Sequence, residues 1–197
     1  MVQNIIVFDI ETKDAFSDVG GRDLFANLEI SVLGAYDYLD GEFHIYEERE
    51  LTRFAERLSK RPMIVGFNSR RFDTPILQKY IRFDLTDLHQ LDIMEEITKE
   101  LGHRVSLDSV AKATLSAGKS GSGLEAIRLW REGKMDELKR YCLDDVRLTR
   151  DIFEYGATNG ELFYVHKFGG AKARVKVSWK VEHPEESSEE SRQQTLF

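Results

Sequence analysis

At 197 residues and 41% hydrophobic content, the chain can bury one sizeable core with an appendage and is too small for a polymerase or helicase. A formal charge of −7 excludes a generally basic nucleic-acid coat, so a polyanion would have to be met at a local patch or through metal ions. With one cysteine, Cys142, no apolar run of roughly 18 residues and no basic leader before an apolar run, the expectation is a soluble cytoplasmic protein in a reducing compartment.

In chain order, "IIVFDIET" (residues 5–12) reads as a buried strand that carries Asp9 and Glu11 on one face. Burying carboxylates is costly without a partner, so positive charge is expected beside them. "ISVLGAYDYL" and "EFHIYEE" predict a hairpin turning at Asp40-Gly41, followed by a helix from about Leu51 to Ser59 and an apolar strand, "MIVGFN". The polar turn "GFNSRRFD" then places Asp73 just before a helix that Thr74 caps and Pro75 opens. "SLDSVAKATL" is a third helix, with Ser106 as its cap.

The strongest helix is "KMDELKRYCLDDVRLTRDIFE", whose apolar stripe is Leu138, Cys142, Val146, Thr149 and Phe153. Tyr141 and Asp145, four apart, share a face of it, with Asp145 at the border of the stripe. Strands gather early and helices late, which predicts an α+β or mixed α/β layer fold with a mixed sheet. "ELFYVHKFGGAKARVKVSW" alternates and turns at Gly169-Gly170, as an added hairpin does. Within residues 166–180, Lys167, Lys172, Arg174, Lys176 and Lys180 stand without an acid, the most basic patch of the chain. From His183 the sequence becomes polar and acidic and predicts a disordered tail. The division is a core over 1–155, a basic hairpin over 156–182 and a tail over 183–197.

An Asp-x-Glu pair by itself says little, since Asp40 and Glu42 form another at the hairpin turn. Tyr-x-x-x-Asp also recurs, at Tyr36 with Asp40 and Tyr80 with Asp84. The ordered set "FDIET", "NSRRFD" and "YCLDD", however, resembles the three motifs of the DEDD (DnaQ-like) exonuclease superfamily in its tyrosine subclass, DEDDy, over about residues 4–155. The histidine subclass carries a histidine five residues before the last aspartate, where Arg140 stands. Within the superfamily the chain looks most like small stand-alone relatives of the proofreading domains of family B polymerases.

The resemblance implies a ribonuclease-H-like fold: a mixed β-sheet flanked by helices, here with the added hairpin and tail. It also implies hydrolysis of phosphodiesters from a 3′ end, with Asp9, Glu11, Asp73 and Asp145 as ligands of two divalent ions, Mg2+ or Mn2+. Hard carboxylate oxygens suit such ions, which clamp the attacking and leaving oxygens of an in-line displacement. A phenol, with an ordinary pKa of about 10, is a poor general base at neutral pH, so Tyr141 is assigned to orienting the attacking water.

Substrate contacts are expected at Asn68 and Phe72, which flank Asp73 in the second motif, and at Arg70, Arg71 and Lys119. Arg70 and Arg71 are either phosphate contacts or solvated loop residues. Phe16 and Phe25, in the loop after the first motif, either stack a terminal base or cover the core. The last residues, Gln193, Leu196 and Phe197, form a Gln-x-x-Leu-Phe pattern that looks like the bacterial sliding-clamp-binding peptide and implies tethering near replicating DNA. Three functions follow: a 3′–5′ exonuclease on single-stranded DNA in repair or editing, a 3′–5′ exoribonuclease, and a non-catalytic nucleic-acid or clamp adaptor.

Overall fold

The computed structural model describes residues 3–21, 27–118, 123–166 and 169–179. Its centre is a five-stranded sheet in the order β3-β2-β1-β4-β5, built from β1 (Ile5–Thr12), β2 (Ile30–Asp37), β3 (Glu42–Glu47), β4 (Met63–Gly66) and β5 (Gln90–Asp92). β1 is antiparallel to β2 and parallel to β4, and β4 is parallel to β5, so the sheet is mixed, as expected. The β2–β3 hairpin turns where predicted: Gly41 has φ +73°, a left-handed backbone that a side chain disfavours.

Alternation along β1 sorts its residues between two layers. Ile6, Phe8 and Ile10 face α1 (Leu51–Leu58) and α2 (Asp73–Leu77), packing with Phe54, Leu58, Ile76 and Leu77. Ile5 and Val7 face the opposite layer, made by α3 (Ile93–Leu101), α4 (Leu107–Leu115) and α6 (Met135–Asn159). Asp9 and Glu11 continue that second row.

All five residues of the predicted α6 stripe, Leu138, Cys142, Val146, Thr149 and Phe153, are buried. Such burial is worth about 1.5–3 kcal/mol for each large apolar side chain. α6 runs to Asn159, so the added hairpin, β6 (Glu161–Val165) with β7 (Lys172–Lys176), begins later than residue 156. Its inward residues Leu162, Tyr164 and Val175 join the same core as α4 and α6. The Ser109 and Thr114 hydroxyls of α4 bond the β6 backbone at Val165 and Phe163.

The expected cap at Thr74 is corrected. α2 starts one residue earlier, at Asp73, with Phe72 in the cap position, and Pro75 is its third residue. The Thr74 N–H already donates to Ser69 O within the turn, and its hydroxyl donates to Gln90 Oε1. Ser106 does cap α4, accepting from the Ser109 N–H at 3.2 Å. β5, α3 and α5 (Gly123–Arg131) are elements that the sequence pattern does not assign. Among the described residues no helix is long and apolar enough to cross a membrane.

Candidate functional site

The β1 row ends in the site. Asp9 pairs with Gly34 of β2 and Glu11 with Val32, and the register then slips between Glu11 and Thr12. Such irregularities re-aim side chains at the end of a ladder. α6 crosses β2 at Gly34, where an added Cβ would lie 2.9 Å from Val146 Cγ2 and 3.0 Å from Cys142 Sγ. The missing side chain therefore lets the helix approach the strand opposite Asp9.

That approach brings Asp9, Glu11 and Asp145 together: each offers a carboxylate oxygen, and the three atoms lie within 4.8 Å of one another. Glu11 and Asp145 are buried, Asp145 to 2% exposure. Tyr141, one helical turn before Asp145, is buried on the same helix. Beneath them the Cys142 thiol lies 3.7 Å from the Asp9 carbonyl oxygen. Burial pushes this thiol well above its ordinary range, and the charges of Asp9, Glu11 and Asp145 push it the same way. Three carboxylates so placed repel one another, which a divalent cation among them relieves. The donors are hard oxygens, which fit Mg2+ or Mn2+ and suit Cu+ poorly.

Asp73 arrives by another route and falls outside that mutually close trio. β4 ends at Gly66, and Asp73 Oδ1 accepts the N–H of Ile10 at 3.1 Å, beyond the last β1–β4 pair. Its carboxyl is thus fixed against the backbone between Asp9 and Glu11. The turn that delivers it depends on Asp92, which is 2% exposed and lies outside the three motifs. Asp92 accepts the N–H groups of Asn68 at 2.8 Å, Arg70 at 3.1 Å and Glu95 at 3.2 Å, so one carboxylate organises the 68–70 turn and caps α3. Asp-x-x-Glu at Asp92 and Glu95, with Gly102 closing the helix, was the available local signal for α3. The bonds to Asn68 and Arg70 leave no trace in spacing.

Asn68 stands at φ +67°, and its side-chain oxygen accepts from Arg104. The Arg70 guanidinium turns toward β5 and α3, donating to Gln90 O and pairing with Glu95 at 3.3 Å. Arg71 is exposed. Phe72 meets Phe16 edge to face at 5.8 Å. Both rings line a largely apolar cavity of about 340 Å³ together with Glu11, Leu28, Leu124 and Ile127, so the cavity adjoins the carboxylates.

One wall of the cavity is the loop after β1, which is tied to α5. Arg131 pairs with Asp18 at 2.7 Å and Asp14 at 3.3 Å. Lys13 sits 5.6 Å from the Trp130 ring centroid. Burial disfavours the Lys13 charge, but hydrogen bonds with Glu29 and Glu48 outweigh it and hold the ammonium protonated. That lysine is committed to those two acids. Phe25, Lys119, Lys167, Lys180, Gln193, Leu196 and Phe197 lie outside the described residues.

A profile of the RNase H superfamily matches residues 6–156, which span β1, both remaining motifs and most of α6. The chain belongs to the RNase H superfamily. Comparison with curated proteins finds no match. Membership agrees with the mixed sheet and the acidic trio, and together they mark a metal-dependent nuclease fold.

Proposed function

We propose that the protein is a metal-dependent 3′–5′ exonuclease of the DEDDy type acting on single-stranded DNA. The observation that carries this is the convergence of Asp9, Glu11 and Asp145 from β1 and α6 within 4.8 Å. Asp9, Glu11 and Asp145 would hold divalent cations, and Asp73, fixed at the Ile10 N–H, would complete the set. When bound, such ions supply Lewis-acid activation of water and of the leaving 3′ oxygen.

The chain's own residues do the rest. Tyr141 orients the attacking water by hydrogen bond and does not act as the main base. The cavity of Phe16, Leu28, Phe72, Leu124 and Ile127 takes the terminal base, excluding water from it while Glu11 faces the scissile phosphate. Asn68, steadied by Arg104, contacts the strand as it enters. The Gln193–Phe197 segment tethers the enzyme to a sliding clamp. That tether favours repair or editing of DNA ends.

The test incubates 5′-labelled single-stranded DNA, duplex DNA and RNA with Mg2+, Mn2+ or chelator. The expected result is a ladder shortening from the 3′ end of single-stranded DNA, abolished by chelator and by Asp9→Ala and only reduced in Tyr141→Phe. Faster RNA than DNA shortening would favour the exoribonuclease, and intact substrates throughout would overturn the enzyme reading. Equal clamp binding with and without residues 193–197 would remove the tether.

A further inference from the structure

We propose that the outer face of the β6–β7 hairpin is a docking track for a single-stranded polynucleotide. Its further placement, upstream of the end held at the acidic trio, rests on the nuclease reading above. β7 alternates strictly, with Lys172, Arg174 and Lys176 exposed while Ala173 and Val175 turn inward. Residues two apart on a strand are separated by about 6.7 Å, comparable to the phosphate step of an extended single strand. The three cations therefore form a row in step with a polyphosphate backbone.

Residues directly opposite in an antiparallel pair share a face. Phe163 opposes Arg174 and Val165 opposes Lys172, so an aromatic ring and an apolar side chain lie beside the row. Lys172 Nζ stands 4.2 Å from the Phe163 ring centroid, and Val165 is 36% exposed. Glu161, the acid of this face, pairs with Arg174 at 3.2 Å. Three cations against one acid leave a local excess on a chain whose formal charge is −7. Cations interleaved with an aromatic platform are the chemistry that grips single strands.

The hairpin also connects to the site. On its other face Tyr164 and His166 lie 6.1 and 6.4 Å from the His103 ring. The next residue, Arg104, donates to Asn68 in the turn that leads to Asp73. The turn end of the hairpin is therefore the end joined to the second motif.

The experiment measures anisotropy of 5′-fluorescein oligothymidylates of 4 and 16 nucleotides with the full chain in chelator, across a salt series. Wild-type protein is expected to bind the longer strand at least about fivefold more tightly. In Lys172→Ala/Lys176→Ala that advantage collapses and the salt slope of log K falls by about 1.4, at about 0.7 for each phosphate no longer neutralised. Unchanged melting confirms that the variant folds. Oligouridylates in parallel assign the track to DNA, to RNA or to both, each in its favour.

An unchanged ratio and slope in the folded variant would overturn the proposal. That is the outcome if the lysines only keep the hairpin from pairing with another strand. A 16-base-pair duplex, titrated in the same way, that bound more tightly than the 16-nucleotide strand would overturn it too. Because chelator blocks metal-dependent hydrolysis, the two readings fail separately. Length-dependent binding without hydrolysis under metal counts against the nuclease alone, and hydrolysis with variant-insensitive binding counts against the track alone.

Discussion

The central sheet buries carboxylates at both ends and treats them in opposite ways. Where β2 finishes beside the start of β1, Asp37 is 6% exposed and meets a cation: Arg57 donates through Nε and through Nη2 at 2.8 Å, and the Leu39 N–H adds a bond at 2.9 Å. Where β1 finishes, acid meets acid, with Asp9, Glu11 and Asp145 drawn together by α6. An ion pair satisfies the fold at the first end. At the second the fold holds like charges close, a cost that a divalent cation bound among them would offset.

Mutations at the two ends should therefore divide stability from activity in opposite directions. The largest effect is expected from Asp9→Ala, which should lower hydrolysis by about a thousandfold or more, as loss of charge stabilisation in a catalytic centre does. Its melting temperature in chelator should hold or rise, because a crowded charge is gone. At the opposite end Arg57→Ala should cost about 3–5 kcal/mol in urea unfolding, since it strands a buried carboxylate. Hydrolysis per folded molecule should be retained.

Acid sharpens the contrast. Burial raises the Asp37 pKa, but the Arg57 and Leu39 bonds outweigh it, so the folded carboxyl titrates below its ordinary value of 3.8. A depressed carboxylate contributes stability that is fully present above the unfolded pKa and is lost as pH falls through the folded one. Wild-type stability should therefore drop below about pH 4 more steeply than that of Asp37→Asn, measured by urea unfolding at stepped pH.

A smaller effect is expected at the hinge of the acidic end. Gly34→Ala adds a methyl 2.9 Å from Val146 and 3.0 Å from Cys142, so α6 must give way. A cost of about 1–3 kcal/mol follows from overpacking. Metal affinity should weaken with it, because Asp145 rides on the displaced helix. Full metal affinity in Gly34→Ala would break the link between close packing and the site.

Much of the acidic end was legible because its residues sit on strongly patterned elements. β1 is a β-branched and aromatic run, so alternation alone put Asp9 and Glu11 on one side, and the 3.6-residue period of α6 put Tyr141 and Asp145 on one face. The turns at Asp40-Gly41 and Gly169-Gly170 were readable from glycine. What escaped was long-range or short. β5 has three residues, too few for a pattern, and the bonds from Asp92 to the 68–70 turn join positions more than twenty apart. Thr74 misled because a threonine before a proline imitates a helix start, whereas the chain had already begun its turn at Asp73. Nothing in the sequence of the 51–59 helix marks Arg57, and only the fold reveals it as the partner of Asp37.

If the acidic end is built for a divalent cation, thermal melting of wild type and Asp145→Asn in chelator and in millimolar Mn2+ will separate the two proteins. Mn2+ should raise the wild-type midpoint by several degrees and leave Asp145→Asn unmoved, with the variant at least as stable as wild type in chelator. Equal Mn2+ shifts in the two proteins, or none in wild type, would contradict it.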